Sequence, residues 1–414
     1  MKLQHLLGKN YHYIWSDGWH LEDNKAWFMA GSMNLLFYLD RNTNETSLIS
    51  KIPLDRMCAF RQYPKCVKLK DKLICLPDNG IDIWIYHLFD NSWSKICLDN
   101  PKGVRITCSK AWVIQEKLYI LSLGLKKIIE IDIINEKIEC NHDLRIDENI
   151  QITDSVLVDN CIYIIGFYPV KIYKFNTSDS KIEVFNLSTI NDKIHTICYD
   201  GEKFWLSGRR KKIYLWDKAE KIIILNKLPD SFGILNFDGR YKHLLNYKEN
   251  HEDMPLFFSS IFVGNYIWLI PFQTNEILFI NKDTYEINIL KMEEENQSEE
   301  SLKTQLLNHK YLFEYIREDR YIGLFSLKNK WVIEIDAQTQ NYTILDYKLG
   351  VECKNQIYNC ILLDYFKDAN IVSESVNFML KDLMDYLKLQ EKENQDKDNN
   401  ILCGSDLYMK LQEN

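Results

Sequence analysis

A four-residue phrase recurs seven times in this 414-residue chain: an acidic residue or Asn, any residue, then two apolar residues. It begins as Asn24-Lys25-Ala26-Trp27 and ends as Asp319-Arg320-Tyr321-Ile322. The last residue of each copy, its anchor, falls at Trp27, Ile74, Tyr119, Tyr163, Trp205, Trp268 and Ile322. The spacings are 47, 45, 44, 42, 63 and 54 residues. From 12 to 14 residues after each anchor, an apolar run ends in Asp40, Asp132, Asn176, Asp217, Asn281 or Asp336, with His87 in the second copy. Repetition at this period builds a fold from identical supersecondary units, so it constrains the chain more than its length does.

Each unit holds four short strands, A to D. In the sixth they are Ser260–Val263, Ile267–Ile270, Ile277–Ile280 and Glu286–Ile289. The repeated acid or Asn sits in the A–B turn and the second Asp or Asn in the C–D turn, where such side chains bond nearby backbone. Aromatics at 13% and abundant Ile favour strands. Four-stranded units every 40–50 residues make an all-β, seven-bladed β-propeller of four-stranded antiparallel blades. Over residues 12–348 the chain resembles the kelch-like propellers in architecture. It lacks both the kelch Gly-Gly pair and the Gly-His…Trp-Asp pattern of WD40 units. Every blade is complete in sequence, so no strand needs to be swapped between termini. Asn10–Trp15 and Gln356–Leu363 are spare strand-like pieces expected to close or cover the ring.

Residues 1–365 are read as the propeller and 366–414 as a short α-helical C-terminal tail. In the tail Val376, Met379, Leu380, Leu383 and Leu387 recur at helical spacing, and Glu391–Asn400 is a polar linker.

Departures from the repeat locate candidate sites. The long spacings carry insertions at Pro229–Pro255 and at the acidic Met292–Leu307, both on D–A connections, which share the top face with the B–C loops. The B–C loop of blade five is the basic run Arg209-Arg210-Lys211-Lys212, suited to phosphates or an acidic partner. Arg61, Arg105, Gln151 and His195 precede A strands at the channel mouth, where the two arginines and a titratable histidine suit an anion. Phe167, Tyr168 and Phe272 offer stacking surface.

The chain opens without a secretory signal, and no apolar run is long enough to cross a membrane. Net charge is −8, so the basic stripe of a nucleic-acid binder is missing. Eleven cysteines, several inside apolar strands, read as buried free thiols of a reducing compartment. Phosphate-loop, dinucleotide, hydrolase-elbow and zinc-protease motifs are absent, so neither cofactor nor metal is expected. The expectation is a cytoplasmic, non-enzymatic binding or scaffold protein. Its top face would take a protein partner or a small anionic ligand through Arg61, Arg105, His195, Arg209, Arg210, Phe167 and Tyr168. The alternative is a propeller lyase or hydrolase acting on a small anionic or sugar-like substrate, with His195 as acid/base and Arg105 and Arg61 holding the anion.

Overall fold

Each repeat folds into one antiparallel sheet, and the seven sheets span His20–Lys51, Lys65–Cys97, Cys108–Asp143, Ile152–Asn186, Ile194–Leu225, Phe257–Lys291 and Tyr311–Leu345. The computed structural model describes residues 16–360 except 32, 55–61, 99–105, 219–221, 226–227, 229–254, 273, 275, 293–310, 327–330, 346, 351 and 358. Strand order is A-B-C-D in every blade, and neighbouring blades meet through their A strands around the centre. The B and C strands are covered on both faces, so Ile162–Gly166 and Ile277–Ile280 are buried throughout. This is why the repeat reads as apolar doublets instead of an alternating pattern. Trp27, Tyr119, Tyr163, Trp205 and Trp268 occupy one equivalent B-strand position and face the next blade. Six apolar clusters join blades one to seven in succession.

The turns explain the repeated polar residues. The A–B turns place Asp23, Lys70, Gln115, Asp159, Gly201, Gly264 and Glu318 at positive φ, as tight hairpins require. The acid or Asn beside them contributes its backbone: the carbonyls of Asn24, Asp71, Asn160 and Asn265 accept the N–H of Arg41, Leu88, Thr177 and Lys282. In the C–D turns the side chain acts as expected. Asp40, Asp132, Asn176, Asn281 and Asp336 each accept an N–H two or three residues on. Where His87 replaces the acid, Asp90 accepts from Ser92.

The seam between blades seven and one has a different chemistry. The B-strand position held elsewhere by an apolar anchor is Gly323, and Glu334 stands opposite it. The anchor expected at Ile322 is therefore out of register by one, because this A–B turn has three residues instead of two. The Tyr315 ring lies over Gly323 and its hydroxyl donates to Glu334 Oε2 at 2.8 Å. Arg41 from blade one reaches Glu334 Oε2 at 3.0 Å and Tyr347 Oη at 3.3 Å, while Arg317 reaches Glu334 Oε1 at 3.0 Å. Burial, reinforced by the neighbouring Tyr347 and Glu334, raises the Tyr315 phenol well above its ordinary value. Trp19 stacks between Phe28 (5.4 Å) and Tyr315 (5.3 Å).

Closure is completed at the rim. Lys348–Leu349 pairs in parallel with Glu45–Thr46 as a fifth strand of blade one. Residues 352–357 then form a helix that buries Cys353 and Ile357. Gln356 and Ile357 are thus helical, correcting the strand expected there; Lys348–Leu349 supplies the strand that clasps the ring. Asn10–Trp15 and the tail from residue 366 lie outside the described residues. The nine described cysteines are free. Cys66, Cys75, Cys108, Cys198 and Cys353 are buried, whereas Cys97 and Cys140 are exposed on D strands. Among the described residues no helix is long and apolar enough to cross a membrane.

Two predictions follow from this packing. A Cβ at position 323 would lie 2.2 Å from the Tyr315 ring, whereas one at Gly350 meets nothing within 4 Å. Gly323→Ala should lower unfolding free energy by about 1–3 kcal/mol, the ordinary cost of overpacking, and Gly350→Ala should change it little in urea titration. The second concerns acid. Glu136 accepts hydrogen bonds from Lys72 (2.7 Å) and Ser94 (2.5 Å), linking blades two and three. Burial pushes its carboxyl up, but these bonds outweigh burial and hold it below the usual 4.5. Below that value the unfolded chain binds the extra proton, so this stability is present above pH 4.5 and lost as pH falls. The urea midpoint should drop in that window, and Glu136→Gln should flatten the drop.

Candidate top-face binding site

The basic loop of blade five is anchored from below by one carboxylate. Asp192, on the connection entering blade five, is buried. Its Oδ1 accepts from the backbone N–H of Lys193 (2.7 Å) and Arg209 (3.3 Å). Its Oδ2 accepts from Arg210 N–H (3.2 Å) and the Tyr214 hydroxyl (3.2 Å). Burial, with the Asp192 charge added, raises the Tyr214 phenol. Gly208 is required here, since a Cβ would sit 2.4 Å from the Lys193 carbonyl oxygen. The Arg209 and Arg210 amides are therefore spent on an internal anion. Any external anion would be met by side chains, and Arg210 is exposed.

Beside this loop the structure gathers part of the expected mouth. Phe167 and His195 pack edge to face at 4.8 Å, and Lys193 Nζ lies 5.4 Å from the Phe167 ring centre. The Phe167 N–H donates to the Gln151 carbonyl (2.8 Å), and Thr153 Oγ1 donates to the Ile194 carbonyl (3.0 Å), tying blades four and five. His195 is half-buried, and Tyr168 is 50% exposed. Phe272 is buried, so it does not supply the stacking surface expected of it. Phe167, His195, Arg209 and Arg210 thus lie on adjoining segments around Asp192 and Lys193. Arg61, Arg105 and nearly all of both insertions lie outside the described residues.

Sequence reasoning missed Asp192, which belongs to neither repeated phrase. Its signal was a carboxylate one blade connection upstream of a glycine followed by four bases.

The opposite face uses its charges internally. Lys68 pairs with Glu22 (2.5 Å), Lys70 with Glu116 (2.5 Å), Lys72 with Glu136 (2.7 Å), and Lys117 with Glu130 and Glu139 (2.6 Å each). Several of these pairs join consecutive blades, so they serve the ring.

These features place the chain among the seven-bladed β-propellers. No family model matches it, and no curated protein matches it. Among solved structures, it is similar to a catalytically inactive virginiamycin B lyase from Staphylococcus aureus with quinupristin, with 12% identity and TM-score 0.53 over 77% of this chain and 93% of that one. It also matches BamB from Moraxella catarrhalis, with 12% identity and TM-score 0.48 over 77% and 83% of the chains. A chain of the mitotic checkpoint complex matches with 9% identity and TM-score 0.47 over 81% and 86%. At 12% identity the likeness to the lyase is one of fold alone.

Removing the internal anion tests the site's construction. Asp192→Ala removes the acceptor of three amides and a buried hydroxyl, and should cost about 2 kcal/mol or more of stability in chemical denaturation. Tyr214→Phe, which removes one donor and leaves the carboxylate, should cost less.

Proposed function

We propose that this protein is a non-enzymatic, kelch-like binding propeller whose top face, at blades four and five, takes an acidic protein partner or small anionic ligand. The observation that carries this reading is the Asp192-anchored loop. It holds Arg209–Lys212 in a fixed shape beside Phe167, Lys193 and His195. A rigid cationic edge with an aromatic neighbour loses little conformational entropy on binding. On a chain of net charge −8, such an edge gives an approaching anion a direction. Free thiols in blades two to five support a reducing, cytoplasmic setting. The lyase or hydrolase alternative would need His195 and at least one of Arg61 and Arg105 to converge on one substrate.

The test is capture of partners from source-cell lysate across a salt series. Arg209→Ala with Arg210→Ala should weaken capture at least about 10-fold at low salt and flatten its salt dependence. Lys25→Ala with Lys137→Ala, exposed positions on the opposite face, should leave it unchanged. Binding lost only with the second pair would place the interface on the wrong face.

A further inference from the structure

A cluster on the outer strand of blade three has no part in the mouth. Cys140 and His142 lie two residues apart in the D strand Lys137–Asp143, so their side chains share one face. Cys140 is opposite Glu130 in the register of the C strand. The thiol sulfur is 3.7 Å from His142 Nδ1, and His142 Nε2 is 2.7 Å from Glu130 Oε2. The other Glu130 oxygen accepts from Lys117 Nζ at 2.6 Å. Burial pushes the Glu130 carboxyl up, but hydrogen bonds from Lys117 and His142 outweigh it, so Glu130 is an ionised acceptor. With Nε2 donating to that carboxylate, the neutral form of the ring presents Nδ1 to the thiol as an acceptor. The ring is packed at 4.8 Å against Phe175 of blade four, which fixes its orientation.

This is a nucleophile, a base and a group orienting the base, in the order that activated thiols use. Cys140 is exposed, while the His142 and Glu130 side chains each keep only 10% of their surface. His142 also lines a cleft of about 540 Å³ between the outer strands of blades three and four, with Asp143, Arg145, Ser180 and Lys181. A lining of both charge signs suits a zwitterionic ligand.

We propose that Cys140 is a nucleophilic thiol that exchanges with small zwitterionic peptide disulfides, making blade three a covalent modification site. His142 Nδ1 takes the thiol proton and the Cys140 sulfur attacks one sulfur of the ligand. The ligand's S–S bond breaks and a Cys140–ligand disulfide forms. The departing thiolate recovers the proton from His142, so a thiol and a disulfide are exchanged with no added oxidant.

Cys97 is the internal control, exposed on the equivalent strand of blade two. The experiment follows each cysteine of the full chain by mass spectrometry during reaction with iodoacetamide, then with oxidised glutathione. An unactivated thiol is only a few per cent ionised at neutral pH, so Cys140 should react about 10-fold or more faster than Cys97. It should also collect the glutathione adduct first. His142→Asn should bring Cys140 down to the Cys97 rate and leave Cys97 unchanged, with Cys66 and Cys75 still protected. Should that variant expose Cys66 and Cys75, the wild-type ratio decides the matter. Equal rates at Cys140 and Cys97 in the wild type, or an unchanged rate in a folded His142→Asn chain, overturn the proposal. Alkylation at Cys140 without the glutathione adduct overturns the disulfide as its substrate.

Discussion

Glu334 holds two arginines from opposite ends of the ring, and on that contact the closed propeller depends. Six seams form between consecutive blades, which the chain brings together at little entropic cost. The seventh joins residues 293 positions apart, Arg41 and Glu334, and bears the loop-closure entropy of the whole ring. An apolar face would fit there, but it would fit any other apolar face as well. A carboxylate buried between Arg41 and Arg317 is poorly stable unless both are present, because desolvation costs several kcal/mol per ion. Tyr315 and Tyr347 supply further hydrogen bonds to the group, and Trp19 covers it with stacked rings. The parallel strand Lys348–Leu349 then clasps the outer edge.

The blade count, the strand order and five aromatic anchors were legible in the sequence because turn chemistry and double-sided burial impose the same demand seven times. The seam was not legible for the converse reason. Gly323 and Glu334 break the pattern, and their meaning depends on Arg41, which sits in an ordinary turn of blade one. The three-residue turn at Glu318–Arg320 also slid the Ile322 anchor by one position. Gln356 and Ile357 alternate like a strand in isolation, yet the chain has already supplied its clasp by then and turns into a helix to bury Cys353 and Ile357.

The site was legible in part. Four bases in one loop were visible as a departure from the repeat, but their fixed shape comes from Asp192, which ordinary spacing rules do not flag. The same holds for Cys140 and His142, two apart in sequence, whose third member Glu130 arrives from the neighbouring strand. Charge use separates the two faces: lysines in and beside the A–B turn of blade two bind blades together, whereas the blade-five loop turns the Arg209 and Arg210 amides inward and leaves the Arg210 side chain exposed. The proposed thiol site on blade three and the proposed binding site beside the blade-five loop therefore use different parts of one scaffold.

The most direct test of the central claim is hydrogen exchange, resolved by peptide, on the full chain carrying Glu334→Gln. If ring closure rests on the blade-seven to blade-one seam, protection should fall first in His20–Lys51, Tyr311–Leu345 and Lys348–Leu349. Blades three to five should keep their protection under the same conditions. Loss spread evenly over all seven blades, or appearing first at another seam, would contradict the account.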